Sequence, residues 1–463
     1  MGLYYMQTLG CPKNQVDSDK LEGYLEAQGY ASAPDADSAD LLVVNTCAFI
    51  EAARQESIDT ILSLAEHRRS GARLVVTGCM AERYGDELRD ALPEIDLVAG
   101  FGHELVPAST SVPVSLGATR VAAATTVPGA GFDLLELPRP AAHAPWAYVK
   151  VAEGCDRICG FCAIPSFRGK QRSRPLDDVL AEVDQLLDAP TATDAPPLRE
   201  VVLVAQDLAS YGRDRTGPGR AARTTTGTSG RPSPIAALTR AVAQRVERTR
   251  LLYLYPSGLT DELIGAVLDT GVPYFDLSLQ HVSRPHLARM RRWGDGERFL
   301  RRIADIRAAE PDATFRSSFI LGYPGETERD HDLLLEFLAA AQLDWAGFFT
   351  FSNEDGTHAA GLPDQVPPEL ALERLRECAE LQDAITAAKR DALVGQTRQV
   401  LVDAPGRGRT VHEAPEIDGV VYVPDDLAVG DLVDVALVAS EGPDLHAVPV
   451  DALAAVSAGA HTS

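Results

Sequence analysis

The sequence predicts a mixed α/β protein in three parts: an N-terminal parallel-sheet α/β domain, a partial or complete TIM-type (β/α) barrel, and a small C-terminal antiparallel β-barrel. Three observations carry this. Apolar runs such as Asp40–Thr46 (DLLVVNT) and Arg73–Thr77 (RLVVT) are continuous rather than alternating, as in strands buried on both faces of a parallel sheet. From Trp146 onward strands and helices alternate through six βα units. Beyond Thr397 the pattern changes to short alternating segments separated by Gly and Pro.

In the first part, Leu3–Thr8 reads as a strand, Val16–Gln28 as a helix, Asp40–Thr46 as a strand and Glu51–Arg69 as a helix. Arg73–Thr77 follows as a strand, with a helix near Ala81–Ala91. This domain is expected to span 1–110, with a Pro-, Gly- and Ala-rich linker over 111–140. The core, 141–378, carries strand candidates Ala147–Val151, Glu200–Ala205, Leu251–Tyr255, Tyr274–Leu279, Thr314–Leu321 and Trp345–Thr350. Between them lie helices such as Leu176–Leu187 and Asp261–Leu268. Residues 213–234, rich in Gly, Thr, Arg and Pro, read as a disordered loop insertion. Pro367–Leu393 is a long amphipathic helix, of which 379–394 connects to the last domain, 395–456. There Arg398–Val402, Gly419–Val423, Leu432–Leu437 and His446–Val448 are strand candidates, and 457–463 is a tail.

With 463 residues and a net charge of −24, the chain is not built for broad attraction to phosphate backbones, so nucleic-acid contact is not favoured. It has no apolar run of about 18 residues and no basic, cleavable leader, so a soluble, cytoplasmic, monomeric protein without membrane contact is expected. Its seven cysteines, an odd number, suit metal or cluster ligation better than a disulfide framework.

Three of them lie in one loop after the first barrel strand: Glu153-Gly154-Cys155-Asp156-Arg157-Ile158-Cys159-Gly160-Phe161-Cys162, spaced C-x3-C-x2-C. Thiolates are soft ligands for iron–sulfur clusters or zinc. Structural zinc needs four ligands, and no fourth Cys or His follows within the loop. Three ligands on a four-iron cluster leave one iron open for chemistry. Cys11, Cys47 and Cys79 are far apart in sequence, yet each follows a predicted parallel strand. The ends of such strands share one edge, where ligands bind, so a second three-thiolate site is expected there. Cys378, within the long helix, has no ligand types near it and reads as structural.

The loop at Cys155–Cys162, with Phe161 before the last cysteine, resembles the defining motif of the radical S-adenosylmethionine superfamily. The resemblance implies a 4Fe–4S cluster on Cys155, Cys159 and Cys162 whose open iron binds S-adenosylmethionine, with the backbone of Phe161 near the adenine. Reductive cleavage then gives a 5′-deoxyadenosyl radical. A three-cysteine domain before this core and a small barrel after it resemble the methylthiotransferase family over nearly the whole chain. That implies an auxiliary 4Fe–4S cluster on Cys11, Cys47 and Cys79 holding the sulfur to be inserted, and a C-terminal TRAM barrel.

Within that family, Leu9-Gly10-Cys11-Pro12-Lys13-Asn14-Gln15-Val16-Asp17-Ser18, Tyr255-Pro256-Ser257-Gly258, Leu279-Gln280-His281-Val282 and Ile417-Asp418-Gly419-Val420-Val421-Tyr422 resemble the branch that modifies an aspartate of small-subunit ribosomal protein S-twelve. The tRNA-modifying branch typically has Gln and Met where Pro12 and Lys13 stand. Charge agrees: residues 396–463 hold three arginines, no lysine and eleven carboxylates, a net −8, which suits a basic protein substrate better than RNA. The insertion at 213–234 is longer than the resemblance leads one to expect, and Ile158 stands where relatives often have another residue. The resemblance also implies an external electron donor and a sulfur source.

Polar residues near strand ends are candidates for further S-adenosylmethionine contacts: Gln206, Asp207, Ser257, Gln280, Arg316 and Ser318, with Gly322 in the turn Gly322-Tyr323-Pro324-Gly325-Glu326. Ordinary hydrogen bonding within the barrel is the competing account of each. The rival readings of the whole chain are a tRNA methylthiotransferase of the same chemistry, a non-catalytic iron–sulfur electron-transfer or binding protein, and a zinc-dependent nucleic-acid-binding protein.

Overall fold

The computed structural model describes residues 2–106, 132–188, 195–216 and 233–452. Chain contacts divide it into two compact units, Met1–Pro140 with Ser166–Arg168, and Ala141–Pro165 with Gly169–Ser463. Among the described residues, no helix is long and apolar enough to cross a membrane.

The first unit runs β1 (Leu3–Thr8), α1 (Pro12–Ala27), β2 (Ala31–Ser32), β3 (Leu41–Thr46), α2 (Glu51–His67), β4 (Arg73–Gly78), α3 (Cys79–Ala91) and β5 (Leu97–Val98). The sheet is parallel with order β2-β1-β3-β4-β5. Every residue of central β3 is buried, which accounts for its unbroken apolar run. The short edge strands β2 and β5 gave no sequence signal, since two residues have no period. Residues 132–140, expected as linker, pack here instead. Leu134 joins the apolar core, and the Lys20 ammonium donates to the Leu135 carbonyl at 2.9 Å. The rest of the expected linker, 111–131, lies outside the described residues.

The second unit begins with β6 (Trp146–Lys150), β7 (Ala152–Glu153), α4 (Ile164–Arg168, whose last residues belong to the first unit), β8 (Arg172–Ser173) and α5 (Leu176–Asp188). Then come β9 (Glu200–Val204), α6 (Pro234–Ala243), β10 (Arg248–Leu251), α7 (Asp261–Leu268), β11 (Tyr274–Gln280), α8 (Arg284–Arg289), α9 (Gly296–Ala309), β12 (Thr314–Leu321), α10 (Glu328–Ala341), β13 (Trp345–Thr350) and α11 (Pro368–Asp391). Two parallel three-stranded sheets, β10-β9-β6 and β11-β12-β13, meet through a bridge between Leu254 and Leu277. The result is an open, six-stranded partial barrel. The third strand lies earlier than the apolar run Leu251–Tyr255 suggested. Its charged start, Arg248-Thr249-Arg250, is buried: Arg250 pairs with Glu200, and Arg248 donates to the Arg409 and Gln399 carbonyls. Of the expected insertion, Asp214–Thr216 form a short 3-10 turn and Pro234 opens α6, while 217–232 lie outside the described residues. So does the tail 457–463.

The chain closes with β14 (Thr397–Ala404), β15 (Arg407–Arg409), β16 (Val421–Tyr422), β17 (Leu432–Glu441) and β18 (Asp444–Pro449), a closed barrel. The hairpin strand β15 was hidden by its composition, Arg-Gly-Arg. This barrel belongs to the same compact unit as the core. Its segment 410–418 reaches the first residues of the core strands. Tyr148 and Tyr274 donate to the Pro415 carbonyl (3.1 Å) and Asp418 (2.5 Å), and the Trp345 indole donates to the His412 carbonyl at 2.8 Å. Strand starts form the stabilising face of such a barrel, and strand ends carry chemistry.

Candidate active site: two three-thiol centres

Each dispersed cysteine sits where a parallel strand ends. Cys11 is the N-cap of α1 after β1, Cys47 follows β3, and Cys79 is the first residue of α3 after β4. Strands β1, β3 and β4 are adjacent and in register, Thr8 beside Asn45 and Thr46 beside Gly78, so the three thiols share one sheet edge. They sense one another. Burial, then the Cys11 thiolate, pushes Cys47 up to about 12, with Cys79 adding to the effect. Burial likewise raises Cys79, with Cys11 adding and Arg168 opposing. At Cys11 burial acts upward, but Lys13, the backbone amides of Asn14 and Lys13, and Arg168 outweigh it and lower the thiol. Cys11 thus favours the thiolate while Cys47 and Cys79 are held as thiols, and a bound metal would draw all three into the thiolate form.

Buried polar groups hold the strand ends in place. Asn14 donates to the Leu9 and Thr46 carbonyls (2.9 and 3.0 Å), and Asn45 donates to the Asn14 carbonyl (2.9 Å). The Arg168 guanidinium donates to Asn14 (2.7 Å), Asp17 (2.8 Å) and the Cys79 sulfur (3.1 Å). Two glycines permit the approach. A Cβ at Gly10 (φ +97°) would meet Cys47 Sγ at 3.0 Å, and one at Gly78 (φ +89°) would meet Asn45 Oδ1 at 2.3 Å. Gly78 also has ψ −162°, a region essentially reserved for glycine. We therefore expect Gly78→Ala to lose the iron of this centre and about 1–3 kcal/mol of stability, with the iron of the second centre retained. Iron analysis and denaturant unfolding check this.

The second centre is a loop clamped at its ends. β7 pairs antiparallel with β8, and Cys155 donates its amide to the Gly169 carbonyl at 3.0 Å. A Cβ at Gly154 (φ +76°) would meet the Lys170 carbonyl oxygen at 2.2 Å. Burial pushes Cys155 up to about 11 and Cys162 up to about 12; Asp207 and Cys159 add at the first, Cys159 and Cys155 at the second. The Arg292 guanidinium donates to Cys159 Sγ at 3.3 Å. Arg157 and Arg292 both lie over the Tyr255 ring, at 3.8 and 4.2 Å. These arginines escaped the sequence reading. Arg157 was visible within the motif, whereas Arg292 arrives from a distant helix end.

Among the described residues, only His281, His286 and Glu326 bring three candidate ligand atoms within 4.8 Å of one another. The His–His–Glu group is itself a poor cation site. Glu326 already accepts from Arg374 (3.2 Å) and the Gly322 amide (2.5 Å), and the charges of Arg289 and Arg374 bear on His286. Burial lowers His286 to about 4, opposed by Asp330 and aided by Arg289 and Arg374. It lowers His281 well below the usual value, with His286, His331 and Arg374 aiding and Asp330 opposing. Both rings thus stay neutral in the folded chain, while the unfolded chain protonates them below about 6.5. Stability is complete above that pH and falls as pH drops towards 4, by up to ~1.4 kcal/mol per pH unit for each ring. Denaturant midpoints at pH 7 and 5 should show this fall, and His286→Leu should make it shallower.

The remaining sequence candidates divide. Asp207 accepts from Arg157 (2.6 Å) and Ser210 (2.7 Å), and Gln206 donates to Glu153 (2.5 Å). Gln206 Oε1 and Asp207 Oδ1 are buried without a partner, acceptors beside the three-thiol loop that suit an ammonium donor such as that of S-adenosylmethionine. Phe161 is half-buried and packs on the core. Gln280 ends β11 in a left-handed conformation (φ +71°), and half-buried Ser318 lies on adjacent β12. Three candidates are placed differently. Arg316 lies near the start of β12 and pairs with Asp418 at 3.3 Å. Ser257 is exposed on a 3-10 turn. Gly322 packs against α11, where a Cβ would meet Ala371 Cβ at 2.5 Å. Cys378 is buried in the apolar core.

Residues 3–100 match Uncharacterized protein family UPF0004, 149–338 the Radical SAM superfamily, and 394–450 the TRAM domain. The chain is 43% identical to the "Ribosomal protein uS12 methylthiotransferase RimO" of Moorella thermoacetica, covering 93% of this chain and 95% of that protein. It is 40% identical to the protein of the same name from Nocardioides sp., covering 96% of each. The chain belongs to the RimO methylthiotransferase family. Its fold is similar to that of the radical S-adenosylmethionine methyltransferase TsrM from Kitasatospora setae: TM-score 0.53, 12% identity, 84% of this chain and 90% of that one. These RimO relatives cover 93% and 96% of the chain, so the thiol sets, the partial barrel and the closed C-terminal barrel belong to one enzyme family.

Proposed function

We propose that this enzyme adds a methylthio group to the β-carbon of an aspartate in ribosomal protein uS12. The observation that carries the reading is the pair of three-thiol sets, one at the ends of three parallel strands and one within a single loop, each short of a fourth cysteine. Cys155, Cys159 and Cys162 hold one 4Fe–4S cluster, and Cys11, Cys47 and Cys79 hold the other. With S-adenosylmethionine at the first, this chemistry supplies a radical able to remove an unactivated hydrogen. Asp207 and Gln206, with buried acceptors unmatched, orient the amino-acid part of S-adenosylmethionine. Phe161, Gln280 and Ser318 line its place, and the auxiliary thiolates hold the sulfur. An external one-electron donor and a sulfur source complete the turnover. The chain acts as a monomer in the cytoplasm.

Exposed acids on the small barrel (Asp425, Asp426, Asp431, Asp434 and Glu441), against Arg407 as its exposed cation among the described residues, support a basic protein rather than RNA as the partner. To test the reading, the protein is reconstituted anaerobically with iron and sulfide, then supplied with S-adenosylmethionine, reductant and uS12. Mass spectrometry should find one added methylthio group on an aspartate. Modification of tRNA with uS12 untouched would overturn the choice of substrate.

A further inference from the structure

Each three-thiol set has one guanidinium hydrogen-bonded to one sulfur: Arg292 at Cys159, and Arg168 at Cys79. The two differ in setting. Arg168 is 3% exposed and lies over the Phe101 ring at 4.1 Å. Its other N–H groups go to Asn14, which spans two strand ends, and to Asp17, itself 1% exposed. A buried, always-charged group aimed at a ligand sulfur does more than fill space. Lysine would supply a point charge without the planar fork that serves three acceptors here.

We propose that Arg168 sets the reduction potential of the auxiliary centre, making it a better electron acceptor. This rests on the reading of Cys11, Cys47 and Cys79 as cluster ligands. Hydrogen bonds to the sulfurs and the local net charge are among the properties that set iron–sulfur potentials. An N–H···S bond and a nearby positive charge both favour the reduced, more negative state. The reaction has use for this. A cluster held by Cys11, Cys47 and Cys79 would supply methylthio transfer to a substrate carbon radical, in which one C–S bond would form, one S–Fe bond would break and the one electron left over would go to the cluster iron. Arg168 is thus a positioning and charge-setting residue, and Asp17 moderates it.

The test uses the full chain with Cys155, Cys159 and Cys162 all replaced by alanine, so that only the auxiliary centre is read. Iron content and the midpoint potential, followed by EPR, are measured with Arg168 intact, as Arg168→Met, as Arg168→Lys and as Asp17→Asn. Arg168→Met should keep its iron and become harder to reduce by at least tenfold in the equilibrium, 59 mV for one electron. Arg168→Lys should recover part of that shift. Asp17→Asn, which leaves the guanidinium charge less compensated, should shift the potential the opposite way. If Arg168→Met does not assemble, the opposed shifts of Arg168→Lys and Asp17→Asn still decide the matter. Iron bound with unchanged potentials overturns the inference alone. No iron in the background with Arg168 intact overturns the cluster reading and this inference together.

Discussion

On the proposed reading, replacing Cys47 with alanine should abolish methylthio insertion while reductive cleavage of S-adenosylmethionine stays measurable, and replacing Cys159 should abolish both. The two sets are separate in sequence and lie on different sheets, so each variant should lose roughly half of the reconstituted iron, one four-iron cluster of two. Cys47 is the buried thiol between β3 and α2, and its main chain is held by Ser57, whose hydroxyl lies 3.2 Å from both its amide and its carbonyl. Alanine keeps that backbone arrangement, so the loss is chemical rather than a failure to fold. The products separate the roles: 5′-deoxyadenosine reports the radical step, and the mass of uS12 reports insertion. Loss of neither in Cys47→Ala would sink the auxiliary centre.

The largest effect on stability is expected at Glu200. This carboxylate on β9 is fully buried between Arg250 (2.7 Å) and Arg409 (2.8 Å), and Arg409 is also paired with Asp403 (2.6 Å). Burial alone would raise its pKa, but Arg250, Arg409 and Arg248 outweigh burial and hold it down at about 2. Glu200→Ala leaves the buried Arg250 guanidinium without its counter-charge and Arg409 with Asp403 alone, a loss of about 3–5 kcal/mol. Because Glu200 joins core strand to terminal barrel, the barrel and core of this unit should lose stability together. A single thermal transition shifted down would show it; a barrel melting alone, with the core unmoved, would contradict it. The sign with pH follows. The stabilisation is complete above about 4.5 and is lost as pH falls towards 2.

Much of this was legible beforehand because the signals are local. A continuous apolar run such as LLVVNT marks a strand buried on both faces, and C-x3-C-x2-C places three thiols in one loop by chain length alone. The dispersed set was legible for a related reason: strands in one parallel sheet end on one edge, so three cysteines each following a strand must meet. What failed to show was short or satisfied from afar. Two-residue edge strands carry no period, and Arg-Gly-Arg does not read as a strand. The partners that let Arg248 and Arg250 be buried, the Arg409 and Gln399 carbonyls and the Glu200 carboxylate, lie far along the chain. Arg316 illustrates the same limit. Its place on a barrel strand suggested cofactor binding, but it lies near the strand start, paired with Asp418.

The sequence by itself determined the two thiol sets, the order of the three parts and the family, because those are properties of spacing along a chain. Only the tertiary structure decided which charges surround the thiols. Arg168 at Cys79, Arg292 at Cys159 and the unmatched acceptors of Gln206 and Asp207 are brought there by segments tens to over a hundred residues distant. Electrostatic effects depend on distance in space and on burial, and neither can be read from position in sequence.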